Sequence, residues 1–99
     1  MNFRIIKSPS AGTMSILLHR IGGGAEKKIT CTDAVGLIQG KMIDMIYVAD
    51  LAEKAVGVTV ADVRGSCPQN MILIALFGDT SSVESAIQEI KNKMEEGVE

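Results

Sequence analysis

The chain has 99 residues, enough for one small domain, and a formal net charge of −2. Hydrophobic residues make up 46% and aromatic residues only 3%, so the core must be built from aliphatic side chains and methionine. Lysine and arginine are scattered rather than clustered, which argues against nucleic-acid binding, and no stretch approaches the length of a membrane span.

Residues 1–40 contain three candidate strands. Residues 3–7 form a short one, which ends at the turn 8–12, and residues 13–19 are a second apolar run with β character. A glycine-rich, polar loop follows. Residues 34–38 then read as a short buried strand that ends at Gly40.

A helix is predicted for residues 42–56, because apolar residues recur there at helical spacing. The predicted stripe consists of Met42, Met45, Ile46, Ala49, Ala52 and Val56. Gly57 follows as a candidate for the C-cap.

The last part of the chain predicts two strands and a second helix. The apolar runs 58–63 and 71–77 are the strands, and residues 82–95 are the helix. Ser81 and Glu84 have the spacing of a capping box at the start of this helix.

The predicted order indicates an α/β (α+β) fold, a ferredoxin-like antiparallel sheet with two helices. A βαββαβ unit needs a strand after its second helix, but residues 95–99 are too polar to form one. The missing strand must then come from the N-terminal side. We expect residues 13–19 to supply it, since residues 3–7 look too short, and this makes the fold circularly permuted.

The connection between the last two predicted strands carries the strongest candidate site. Cys67 lies there, Gly65 permits a sharp bend, and Pro68 favours an extended backbone at the cysteine. Iron–sulfur clusters are bound by thiolates, but one cysteine cannot hold a cluster, so symmetry would have to bring several copies together. The plainer alternative is a surface thiol in a turn. Cys31, in a polar segment, is predicted to be a spare thiol.

The permuted order resembles the bacterial microcompartment shell domain in its circularly permuted form. Four stretches carry the resemblance, namely residues 4–7, 34–38, 49–55 and 77–86. The resemblance implies an extension, residues 1–12, that forms a small barrel over one mouth of a hexamer, and a shell domain, residues 13–99.

Within that family, Gly65, Ser66, Cys67, Pro68 and Gln69 match the Gly-x-Cys-Pro-Gln motif of shell proteins from glycyl-radical-enzyme microcompartments. The resemblance implies that this loop lines the central pore. It also implies that Cys67 residues from several subunits bind an iron–sulfur cluster of the 4Fe-4S type.

The resulting expectation is a structural protein, not an enzyme. It would form homo-hexameric tiles, which would assemble with other shell proteins into the shell of a microcompartment in the cytoplasm. The bound cluster would carry electrons across this shell. Two alternatives stay open. One is a tile whose pore, lined by Ser66, Gln69 and Asn70, passes metabolites without a cluster. The other is a small ligand-binding regulatory domain of ferredoxin-like fold.

Overall fold

The computed structural model describes residues 1–21, 32–65 and 71–95. In chain order the elements are β1 (Asn2–Lys7), α1 (Ala11–Arg20), β2 (Ala34–Lys41), α2 (Met42–Glu53), β3 (Val58–Val63), β4 (Met71–Gly78) and α3 (Thr80–Glu95). The strands form one antiparallel sheet in the order β1-β2-β4-β3. The predicted α+β class is confirmed, with one helix more than expected.

Each face of the sheet packs against helices, because alternate side chains of a strand point to opposite faces. On one face α2 lies mainly over β4 and β3, and α3 mainly over β2 and β1. The largest fully buried side chains of this face are Ile38, Met45, Val48, Leu76, Val83 and Ile90. The other face packs against α1 through a smaller cluster, made of Leu17, Ile21, Val35, Ala61, Val63, Ala75 and Phe77.

The prediction of a strand over residues 13–19 is wrong, because this segment lies within helix α1. The Ser10 side chain accepts a hydrogen bond from the backbone N–H of Thr13 at 3.1 Å, which caps the start of the helix. Leu17 and Ile21 are buried against the sheet, whereas Ile16 is 64% exposed. Apolar residues at positions 14, 17, 18 and 21 have helical spacing, and that spacing outweighs the β character of the run.

Strand β1 is the missing strand that the ferredoxin-like arrangement needs. All six of its residues pair with β2, from Asn2 opposite Gln39 to Lys7 opposite Ala34. Phe3 packs against the core under α2 and α3, and Ile6 packs against the core under α1. The expectation that residues 3–7 are too short to complete the sheet is therefore wrong. The barrel over a hexamer mouth, and the division at residue 12, stay predictions.

We expect deletion of residues 2–7 to lower the free energy of unfolding by at least about 3 kcal/mol, because two half-buried apolar side chains and a full strand pairing are lost. Chemical denaturation of the deleted and intact chains measures the difference. Arg4→Ser is the control, since Arg4 is exposed on the same strand. An unchanged unfolding midpoint after the deletion would mean that β1 adds nothing to the sheet.

Helix α2 ends three residues earlier than predicted, at Glu53. Gly57, which has a φ of +84°, makes the turn into β3. The predicted apolar stripe is only partly buried: Met45 and Ala52 are in the core, but Ile46 is 64% exposed and Val56 is 90% exposed. Val48, absent from the predicted stripe, is fully buried instead.

Helix α3 begins at Thr80, and Asp79 rather than Ser81 provides its N-terminal hydrogen bond. An Asp79 carboxylate oxygen accepts from the backbone N–H of Ser82 at 3.2 Å. The predicted capping box is therefore wrong, and Glu84 pairs instead with Lys7 of β1 at 3.2 Å. The pKa of Asp79 is lowered below its usual range, because Ser82 donates hydrogen bonds to the Asp79 carboxylate and so favours the charged form.

This cap predicts a pH-dependent contribution to stability. A lowered pKa means that the stabilisation is present above the unfolded-state pKa, near 3.9, and is lost as the pH falls through the folded-state pKa. Asp79→Ala should therefore lower the melting temperature at pH 7, with a difference from the wild type that shrinks below about pH 4. Asp79→Asn, which can still accept the hydrogen bond, should restore part of the pH 7 stability. A difference that stays constant down to pH 2 would contradict this account.

The first residue of the chain lies beside the end of α3. Met1, Phe3, Met94 and Glu95 line one cavity of about 520 Å³ together with neighbouring residues of α2 and α3. The ammonium group of Lys91, on α3, lies 5.2 Å from the centre of the Phe3 ring. Contacts between β1 and α3 thus bring together two elements from opposite ends of the sequence.

Candidate functional site

The predicted pore loop begins where β3 ends and closes where β4 begins. Val63 pairs with Leu73, and Met71 pairs with Lys41, the last residue of β2. Of the five residues predicted for the site, only Gly65 is among the described residues. Ser66, Cys67, Pro68 and Gln69 lie outside them. The described structure therefore fixes the base of the loop at one end of the sheet.

Helix α1 also ends at the base of this loop. The backbone N–H of Arg64 donates to the carbonyl oxygen of Arg20 at 2.8 Å, and Ile21 forms a β-bridge with Val63. These contacts place His19 and Arg20, in the last turn of α1, beside Arg64 and Gly65. Sequence reasoning missed this basic group because it read residues 13–19 as a strand. The helical spacing of positions 14, 17, 18 and 21 was a signal for helix α1, but not for its contact with Arg64.

Gly65 is exposed at the base of the loop. A Cβ atom built on it would meet no described atom within 4 Å. Steric contact with the described residues therefore does not require glycine at this position, and none of them covers its backbone on this side.

The described neighbours of the two cysteines lie at opposite ends of the sheet. Gly65 precedes Cys67 and lines a cavity with Met71, where β4 begins. Cys31 lies outside the described residues, but Asp33, two positions later, donates its backbone N–H to the carbonyl of Gly78, where β4 ends. The eight residues of β4 run from one end to the other, a distance of about 24 Å. This geometry makes Cys31 a suitable control for experiments on Cys67.

No set of three or more potential metal ligands occurs within residues 1–21, 32–65 and 71–95. Among the described residues, the carboxyl group of Asp79 and the amino group of Lys54 have shifted pKa values, and neither group lies at the base of the loop. The pKa of Asp79 is lowered by its hydrogen bonds, and the pKa of Lys54 is raised by its hydrogen bond and ion pair with Asp50, at 2.8 Å. Both sites are at the opposite end of the sheet, where α2 ends and α3 begins. Across the described helices, none is long and apolar enough to cross a membrane.

The sequence profile of the BMC domain matches residues 34–99, which begin with the first residue of β2. The chain belongs to the BMC domain family. The match covers two thirds of the chain, and β1 and α1 precede it, as a permuted order of elements requires. A search of curated proteins found no match.

Three solved structures extend the comparison. A ligand-free structure of the GrpU microcompartment shell protein from Clostridiales bacterium 1_7_47FAA is 54% identical, covers 98% of this chain and 95% of its own, and has a TM-score of 0.76. A ligand-free GrpU structure from Pectobacterium wasabiae is 29% identical, over 91% and 99% of the two chains, with a TM-score of 0.75. A fused permuted hexameric shell protein of the RMM microcompartment is 21% identical and shares the fold, with a TM-score of 0.70 over 94% of this chain and 44% of that one.

This BMC domain protein is therefore a structural shell protein of a bacterial microcompartment, located in the shell, and not an enzyme. The predicted family resemblance is confirmed. The alternative of a small regulatory domain is excluded by family membership. Of the three solved structures, the fused permuted shell protein is described as hexameric.

Proposed function

We propose that this chain forms a homo-hexameric tile and that Cys67 thiolates from several subunits bind an iron–sulfur cluster at the central pore. When bound, a 4Fe-4S cluster supplies one-electron transfer, so the tile would pass electrons across the shell of a glycyl-radical-enzyme microcompartment. The observation that carries this proposal is the Gly-Ser-Cys-Pro-Gln sequence in the β3–β4 connection of a BMC domain. The 54% identity to a GrpU shell protein supports it.

A lateral contact surface on α2 and β3 supports the hexamer. Three apolar side chains near the start of α2 are exposed, namely Met42 at 46%, Ile43 at 78% and Ile46 at 64%. Between α2 and β3 a cavity of about 310 Å³ is lined largely by apolar residues, among them Ile46, Val60 and Ile72. Strand β3 is at the edge of the sheet. Edge strands and contiguous apolar patches are normally covered, and a cyclic assembly covers this one with the next subunit.

The donor chemistry fits a cluster only if several subunits contribute. Each chain has one cysteine in the loop, and the described residues add no ligand set of their own. Closed cyclic symmetry repeats any loop around the axis, so one cysteine per chain becomes a ring of thiols. Thiolate is the ligand type that iron–sulfur clusters prefer. Because six equivalent thiols exceed the four iron atoms of a cubane, we propose that a subset of the Cys67 residues binds.

Anaerobic purification tests the proposal directly. Native mass spectrometry should give a hexamer, and iron and sulfide quantitation should give about one cubane cluster per hexamer. Paramagnetic resonance of the reduced protein should report a cluster signal. A hexamer that stays free of iron after reconstitution with iron and sulfide would leave a tile with a metabolite pore. A monomer at micromolar concentration would contradict the assembly itself.

A further inference from the structure

Three basic side chains meet at the base of the pore loop. His19 and Arg20 come from the last turn of α1, and Arg64 follows β3. Together with Gly65 they line a shallow cavity of about 550 Å³. No acidic side chain is among its described lining residues, which include two guanidinium groups, although the net charge of the protein is −2.

Backbone contacts hold together the two elements that carry these three residues. The hydrogen bond from the N–H of Arg64 to the carbonyl of Arg20 joins the two arginines, and the Ile21–Val63 bridge secures the elements that carry them. Basic residues in a last helical turn are often explained by the helix dipole. That explanation covers His19 and Arg20 but not Arg64, which belongs to a different element.

Within the described structure, neither Arg20 nor Arg64 forms an ion pair. The ion pairs found there join Lys7 to Glu84 and Lys54 to Asp50, and neither involves an arginine. Asp62 lines a neighbouring cavity of about 590 Å³ together with Arg20 and Arg64, but it does not line the cavity that holds His19.

We propose that this cavity binds the phosphoryl group of free phosphate or of a phosphate monoester. Guanidinium groups bind phosphate oxygens through paired, charge-assisted hydrogen bonds, and two of them flank the cavity. None of the described atoms lies within 4 Å of a Cβ position at Gly65, so the described residues do not obstruct an anion that approaches its backbone. The cavity is shallow and its lining residues are exposed, so a small anion could enter it and leave it freely. The inference rests on His19, Arg20 and Arg64 and is independent of the iron–sulfur proposal.

Isothermal titration of the iron-free full-length chain tests the site, with inorganic phosphate and methyl phosphate as probes at constant ionic strength. Arg20→Gln and Arg64→Gln should each weaken binding about tenfold, because each removes a charge-assisted interaction. Arg4→Gln is the matched control: it removes the same charge from an exposed position on β1, and binding should change by less than about twofold. Binding of inorganic phosphate alone would assign the site to the free anion, and binding of both probes would admit phosphate esters.

Three outcomes would overturn the inference. The first is wild-type protein that binds neither probe. The second is an Arg4→Gln variant weakened as much as Arg20→Gln, which would indicate attraction to overall charge. The third is binding of an acidic peptide such as polyglutamate with no binding of phosphate, which would assign the surface to a protein partner. Because the protein contains no iron in these titrations, a failure of the cluster proposal would leave their result unaffected.

Discussion

Cys67→Ser should abolish iron binding while the hexamer survives. A serine hydroxyl is a much poorer ligand for an iron–sulfur cluster than a soft thiolate, and the exchange hardly alters the size of the side chain. After anaerobic reconstitution, iron content and visible absorption should both fall to background. Native mass and the thermal unfolding midpoint should stay at wild-type values, since most surface substitutions change stability by less than about 0.5 kcal/mol.

Cys31→Ser is the control for this experiment. It removes the only other cysteine of the chain, and we expect its iron content to equal that of the wild type. Loss of the cluster in this variant, with retention in Cys67→Ser, would show that the ligand is Cys31. Retention in both variants would show that neither cysteine is required and would remove the proposed site.

Ile46→Asp should convert the hexamer to monomers at micromolar concentration. In the single chain this side chain is 64% exposed, so a carboxylate there is solvated and the fold should persist. In the proposed assembly the same carboxylate would be buried against the next subunit without a partner, and burying an uncompensated charge costs several kcal/mol. Analytical ultracentrifugation measures the mass, and circular dichroism checks the fold.

Ile16→Asp is a closely matched control. Ile16 is the same residue type with the same 64% exposure, but it lies on α1, on the opposite face of the sheet. We expect this variant to remain hexameric. If Ile16→Asp dissociates the hexamer and Ile46→Asp does not, the subunit contact lies on α1 and the surface on α2 and β3 is wrong.

The strands and α3 could be predicted because each is dominated by one local signal. β3 and β4 are short apolar runs between turns, and α3 repeats its apolar side chains at helical spacing, so Val83, Ile87 and Ile90 are buried as expected. Residues 13–19 fit two patterns at once, the apolar run of a strand and the apolar spacing of a helix. The spacing of positions 14, 17, 18 and 21 favours the helix, and the sheet agrees with it, because β1 already completes the sheet and leaves one face to be covered by α1.

One part of the candidate site could likewise be predicted from the sequence, and another part could not. The cysteine motif is continuous in sequence and could be found there. The basic group could not, because Arg20 and Arg64 are 44 positions apart and meet only through the bond between α1 and the end of β3. Ile46 belongs to the predicted apolar stripe of α2 but is exposed, because periodicity cannot distinguish a core position from an exposed apolar one.

Because Met1 lies close to the end of α3, joining the two would reduce the conformational freedom of the unfolded chain. Because Met1 and Glu95 line one cavity, the start of β1 and the end of α3 are neighbours that an engineered peptide linker could join into a covalent ring. A closed ring has fewer unfolded conformations than an open chain, so closure stabilises the folded form through entropy alone. The same closeness would let new chain ends be opened at an exposed loop elsewhere, with the contacts between β1 and α3 kept.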